Sequence, residues 1–562
     1  MPALLELMKS SFSLPTQVMI AEAFFAGLVG ISLLLFGCRR HEQGQQQSEY
    51  RIGELYGPPL YVARSATTNG CRIAWAAEKG NKMTVFVDGK EGPMVDSIRE
   101  DSIIFSPNGK HVAYLARGDD KRFVVLDGIL GRKLDDVADH SLTFSRDSLH
   151  FAYAAKEAAK WFVVVDGSSG PEFDRIAKDG VMFGGDSGRF AYIAGTGEKW
   201  LAVIDGKPGP EFDVIAGSTL GFSSDGRRLA YAAKKGMHWL VVTDGKLDRE
   251  YDDIGVGSVR FDNSGNHLAY AARRGKRWCV VEDGVPGPEW EGVIGSTIRF
   301  NTQGDSLIYS ALKGGKWVVV RDGKPGPEND GIGRAYPIFS PDGQHIAYVA
   351  TRSGKMHAVH DDDPGVGYDA ILAGSLQFNS DGKCLAYAAA TNDRWFVVIN
   401  GKRGPEFEGI ANNTLRFYPN DSRVMYGAIR DGKQLLVSDG NIGPKYDGIV
   451  QGSVVISEDG KRLAYVAVKG KRDVAVIDGE EGLEFDVLVK GSHPIFSPDS
   501  RHVAYAVFKA NNVFVVADGK FGPSYQGVNV VPTFTSSNCL EYLADKSESG
   551  KLSLYHVTHR FR

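Results

Sequence analysis

Cysteine is scarce in this chain. The five in 562 residues (Cys38, Cys71, Cys279, Cys384 and Cys539) form no C-x-x-C pair, which argues against a zinc knuckle or a redox dithiol. Cys279 and Cys384 fall within strand-like segments and read as buried, inert thiols. No charge of one sign predominates, because 65 Lys and Arg face 69 Asp and Glu for a formal net charge of -4. That balance supplies no general field for nucleic acid, so no nucleic-acid partner is expected. No apolar run reaches the about 20 residues that a spanning helix needs. Nucleophile, zincin and EF-hand motifs are also missing, so no catalytic residue, metal ligand or cofactor is assigned. Asp361-Asp362-Asp363 offers several oxygens but lacks calcium-loop spacing, and reads as a solvated turn. What the chain has in excess is glycine, 68 residues against a usual share of about 7%. Many short strands joined by tight turns would use it.

The longest apolar stretch, Ala23 to Gly37, holds fifteen uncharged residues and is followed by Cys38-Arg39-Arg40. It fits a secretory h-region, so residues 1–37 read as a signal peptide. Leu35-Phe36-Gly37-Cys38 resembles the bacterial lipobox, which makes Cys38 the expected lipidation site and residues 38–49, polar and Gln-rich, a short tether. The competing reading is an uncleaved transmembrane anchor with Arg39 and Arg40 as its flank. Either way the chain is expected outside the bacterial cytoplasm, in the periplasm or at the cell surface.

Internal periodicity then dominates. Phe105, Phe144, Phe183, Phe222, Phe261, Phe300, Phe339, Phe378 and Phe417 recur every 39 residues, and Ile456 continues the series. Nine residues after each stands a tyrosine, from Tyr114 to Tyr465, and an Asp-Gly pair keeps step. One unit reads as four strands: Thr219–Ser223, Leu229–Ala233, His238–Thr243 and a fourth around Tyr251–Ile254. The third is apolar on both faces, as in Trp161-Phe162-Val163-Val164-Val165, and must be covered on both sides. Stacked propeller blades provide that cover, with Phe and Tyr as the core between blades.

Phe105-Ser106-Pro107-Asn108-Gly109 through Tyr114, repeated at Phe339 and Phe496, resembles the signature of the WD40-like, TolB-type propeller repeat (PD40) over residues 60 to 560. The fold class expected is all-β, about thirteen four-stranded blades. Two tandem rings are the first choice, residues 50–330 with about seven blades and 331–562 with about six. One large ring or an open superhelix is the alternative. A division near residue 330 is suggested by Asn329 in an aromatic position and by the loss of the Asp-Gly turn at Asp361. Gly57-Pro58-Pro59-Leu60-Tyr61 looks like a lone strand from a divided, ring-closing blade. The resemblance implies a non-enzymatic scaffold that binds envelope proteins or peptides and is held at a membrane by its lipid. Two alternatives stand beside it: a carbohydrate-active lyase or hydrolase, and a glycan- or peptide-binding module. The latter would use a basic, indole-edged face of Trp161, Trp200, Trp239, Trp278, Trp317, Trp395, Arg274 and Lys276.

Overall fold

The computed structural model describes residues 40–42, 45–54, 61–67, 70–178, 180–185, 188–333, 336–548 and 551–561. The signal-like segment and Cys38 lie outside the described residues, as does most of Gly57–Tyr61. Among the described residues no helix is long and apolar enough to cross a membrane.

Each unit is organised around one hairpin. In the blade at residues 214–247, Leu229–Lys235 pairs antiparallel with His238–Thr243. Both are buried through their middles because Leu, Ala, Tyr and Val occupy both faces. Two-residue strands flank the hairpin. Val214–Ile215 and Gly221–Phe222 lie along Leu229–Lys235, and Lys246–Leu247 lies along the other edge. Asp244-Gly245 closes that last corner with φ of 51° and 77°. A type I′ turn needs positive φ at both central residues, hence the recurrent Asp-Gly. The Phe-Ser-Pro-Asp-Gly segment is likewise a closed turn. Ser340 Oγ accepts the His345 N–H at 2.9 Å, and Asp342 takes the N–H of Gln344 at 3.1 Å.

The expected fourth strand is not one strand. Tyr251 bridges Trp239 of its own blade, whereas Asp253–Ile254 already pairs with Arg273 and Ala272 of the next. One residue, Asp252, therefore carries the chain across each such junction, and every blade is tied covalently and by hydrogen bonds to its successor.

Thirteen sheets form in this way. We number them as blades 1 to 13, from residues 61–91 to the sheet that contains residues 527–561. The buried apolar residues fall into thirteen clusters, one for each junction between neighbouring blades. Twelve join consecutive blades. The thirteenth joins Ile73, Trp75 and Phe86 of blade 1 to Leu543 and Leu554 of blade 13. The stack of blades thus returns to its start, and the molecule is a β-propeller with one closed ring of thirteen blades.

The division into two rings near residue 330 is not found. Blades 7 and 8 share a core of Ile308, Val319, Ile346, Tyr348, Ala350 and Val359 like any other pair. Asn329 keeps the backbone bridge to Trp317 that the aromatics make elsewhere, and its side chain donates to the Pro327 carbonyl at 2.8 Å. The segment read as a polar tether is also different, since Gln45–Glu54 is a strand along Lys551–Phe561. That strand divides blade 13 between the two ends of the chain, the role expected of residues 57–61. Tyr61–Thr67 belongs instead to blade 1.

The repeat tyrosines are buried between blades as expected, with Tyr114, Tyr192, Tyr231, Tyr270, Tyr348 and Tyr505 at most 1% exposed. Each typically meets an aromatic of the preceding blade edge to face, as Phe212 and Tyr231 do with centroids 6.2 Å apart. The repeat phenylalanines are only half-buried, and most of them support an arginine or histidine from the blade before, as Phe105 does Arg72 and Phe144 does His111. Cys279 is buried and burial pushes its thiol pKa up, while Cys384 is only half-buried, beside Asn400.

Candidate functional site

Two sets of charged side chains recur through the repeat, one closing the hairpin of each blade and one crossing to the next blade. The first pairs the residue preceding the long hairpin with the aspartate of the Asp-Gly turn sixteen residues later. His111 Nδ1 lies 2.7 Å from Asp127 Oδ2, while Asp127 Oδ1 accepts the Val112 N–H at 2.9 Å. The same arrangement recurs at His150–Asp166, His267–Asp283 and His502–Asp518. Asp283 raises the pKa of His267, chiefly through this hydrogen bond. Where arginine replaces histidine it also reaches the next blade. Arg72 holds Asp88 at 2.7 Å, donates to the Gly109 carbonyl at 2.7 Å and lies 5.3 Å over the Phe105 ring.

The second set crosses each junction at the other end of the hairpin. Lys160 Nζ pairs with Asp174 Oδ1 at 2.6 Å, and Asp174 Oδ2 accepts the Gly197 N–H of the following blade at 2.7 Å. The lysine hydrogen bond comes first among the causes that hold Asp174 below the ordinary carboxylate range. Asp96, Asp135, Asp213, Asp330, Asp369 and Asp447 repeat both contacts.

The expected basic, tryptophan-edged face lies among such charged pairs as well. The basic hairpin turns stand among acidic partners: Lys79 meets Glu91 at 2.9 Å and Lys469 meets Glu481 at 2.7 Å. Trp161, Trp200, Trp239, Trp278, Trp317 and Trp395 occupy one equivalent position in blades 3 to 7 and 9. All are half-buried. Trp200, Trp239, Trp278 and Trp395 pack against junction cores. Trp200 also lies beneath the Arg175 guanidinium at 4.5 Å, and Trp161 beneath Lys156 at 5.8 Å. Arg274 covers the Tyr251 ring at 5.5 Å, and Lys276 is exposed. Arg274 thus reaches back to the preceding blade, and four of the six indoles help to fill the joins between blades.

Blade 8 breaks the pattern. Its corner reads His360-Asp361-Asp362-Asp363, closed by paired backbone hydrogen bonds of 2.8 Å between His360 and Asp363. Asp361 retains the repeat contacts to His345 and to the Ile346 N–H. In eleven other blades the residue before this aspartate or asparagine is Val87, Leu126, Val165, Ile204, Thr243, Glu282, Arg321, Ile399, Ser438, Ile477 or Ala517. Only here is it a second histidine. A cavity of about 520 Å³ opens beside the corner, lined by Arg321, Lys324 and Gly326 of blade 7 and by His345, Asp361 and Asp362. Sequence reading singled out the three aspartates and passed over His360. Aligning the units would have exposed it as the one histidine in that column.

No family model matches this chain, and no curated protein matches it. Solved structures with similar regions include a eukaryotic initiation factor (12% identity, TM-score 0.28, over 58% of this chain and 97% of that one). TolB from Acinetobacter baumannii is 14% identical with TM-score 0.17, over 54% of this chain and 77% of its own. The β-propeller domain of Cps50 (Swd1) from Myceliophteria thermophila is 14% identical with TM-score 0.19, over 55% and 97%. The class of this protein follows from its own closed ring of blades.

Proposed function

We propose that this propeller is a non-enzymatic, exported scaffold of the bacterial cell envelope, anchored through a lipid on Cys38 and binding other envelope proteins or peptides. The observation that carries the reading is the closeness of two features. The lipobox-like Leu35-Phe36-Gly37-Cys38 stops two residues short of Arg40, where the strands of the closing sheet begin. A lipid on Cys38 would hold that seam against the bilayer and turn the remaining blades outward. The carboxylate partners of the lysines argue for a protein partner over an anionic polymer, because they cancel the local excess of positive charge such a polymer would need.

The test has two parts. Mass spectrometry of the membrane fraction should find a mature chain that begins at a lipid-modified Cys38, and Cys38→Ser should abolish the modification. Crosslinking in intact envelopes should then recover specific protein partners with the wild-type chain. An unprocessed, cytoplasmic chain, or envelopes that yield no crosslinked protein, would overturn the proposal.

A further inference from the structure

We propose that His345, His360 and Asp361 of blade 8 form a binding site for a divalent transition-metal ion of the zinc class. A ligand atom from each of the three lies within 4.8 Å of the others. One carboxylate oxygen, Asp361 Oδ2, faces both rings. It contacts His345 Nδ1 and stands 3.7 Å from His360 Nε2. That nitrogen is itself buried and has no hydrogen-bond partner.

The pairs at His111, His150 and His267 leave no such atom, since their carboxylate serves one imidazole and the neighbouring residue is Leu126, Val165 or Glu282. Near the pair at His502 the buried His559 Nε2 also lacks a partner, but among the described residues only the blade 8 corner brings three ligand atoms together. The structural role of the pair is complete without His360. A second imidazole that gives up a partner at this corner therefore needs another explanation, and a shared cation supplies one.

The donor set indicates which cation. Two imidazoles and one carboxylate suit zinc and its neighbours, whereas calcium takes six to eight oxygens. Three protein ligands leave a coordination position open, and the adjoining cavity gives it access to solvent. Support for the ligands is already in place. Asp361 Oδ1 is fixed by the Ile346 N–H at 2.9 Å, and the His360 ring meets Phe378 of blade 9 edge on at 5.6 Å between centroids. Arg321 and Lys324 also line the cavity, on the blade 7 side. Arg321 donates to the Gln344 carbonyl at 3.0 Å, and its charge favours an anion, carboxylate or phosphate, in the open position of the metal. Metal binding would require His345 Nδ1 and Asp361 Oδ2, here in contact with each other, to turn to the ion.

The repeat itself provides substitutions compatible with the fold. His360→Ile installs the residue that blades 4, 9 and 11 carry there, and His345→Arg installs the one found at Arg189, Arg228 and Arg462. Titration of the full-length chain with Zn²⁺, followed by calorimetry in excess Mg²⁺, should show one tight equivalent. Each substitution should weaken it at least tenfold, and His111→Arg, at the matching plain pair of blade 2, should leave it unchanged. Co²⁺ should give a ligand-field spectrum that His360→Ile abolishes, with circular dichroism unaltered. Loss of the equivalent in His111→Arg, the same Zn²⁺ affinity in His360→Ile, or tighter binding of Ca²⁺ than of Zn²⁺ would overturn the proposal.

Discussion

Asp473 shows how one repeat position can be filled by different chemistry. Six blades carry tryptophan there, but in blade 10 Gln434 accepts the Ile449 N–H at 2.7 Å, and in blade 8 Met356 Sδ takes that of Ile371. Asp473 takes the Leu488 N–H in the same way, although it is only 7% exposed and burial raises its pKa to about 6. Because the folded value lies above the unfolded one of about 3.9, the cost is absent at lower pH. It grows as pH rises through 4 to 6, and is fully present above that. Asp473→Asn keeps an acceptor for Leu488 without the charge. It should therefore stabilise the protein at pH 7 by up to about 3 kcal/mol and by almost nothing at pH 3, as read from urea midpoints at both. Glycine at the fourth strand has a different reason. Gly131 donates to the Val124 carbonyl at 2.8 Å, and a Cβ there would stand 2.7 Å from that oxygen. Gly131→Ala should cost about 1–3 kcal/mol, visible as a lower melting temperature. Sequence reading found the residues that recur unchanged. It missed Asp473 and His360, which are informative because they depart from their columns.

At the scale of the element, the central hairpin was legible because Leu229–Lys235 and His238–Thr243 are apolar runs bounded by Gly and Asp-Gly turns. The short first strand, expected at Thr219–Ser223, is found as Gly221–Phe222, but the fourth was not legible. Its residues belong to sheets on either side of Asp252, and only tertiary contact separates Tyr251 from Asp253. The charged pairs were visible as spacings, lysine to aspartate at fourteen and histidine or arginine to aspartate at sixteen, yet a charged residue near a turn has an ordinary explanation as solvated surface. Their role makes a local prediction. Asp174→Ala removes the acceptor of the Gly197 N–H, so hydrogen exchange should quicken at residues 196–199 of blade 4. The corresponding turn of blade 3, held by Asp135, should exchange at its original rate.

For the whole molecule, thirteen units could be counted from the sequence, but their closure could not. Spacing is the same whether units form one ring or two, and closure depends on what the end faces meet. Here the meeting is between Gln45–Glu54 and Lys551–Phe561, a pairing across some five hundred residues with no local signal. The seam also carries a titratable group. His559 is buried against Phe561, and burial lowers its pKa below 6.5. Its folded value is depressed, so no penalty exists above pH 6.5, and one develops as pH falls through that value and the unfolded chain takes up a proton. Amide protection across residues 551–561, taken relative to the intrinsic exchange rate at each pH, should accordingly fall as pH drops below 6.5, while blades 5 and 6 stay protected. His559→Leu should remove that loss of protection.

The divided blade has a kinetic side. Blades 1 to 12 are assembled from contacts within one unit or between neighbours, which close short loops and form fast. The strand at residues 45–54 is made before any of them and finds its partner only when the last eleven residues of the sheet arrive. Until then the faces around Trp75 of blade 1 and Tyr525 of blade 12 remain open to water. The growing chain is an arc with two adhesive ends, and the step that makes it a ring is a single late clasp. Its rate should fall as the joining loop lengthens, and two unfinished copies in contact could clasp each other instead.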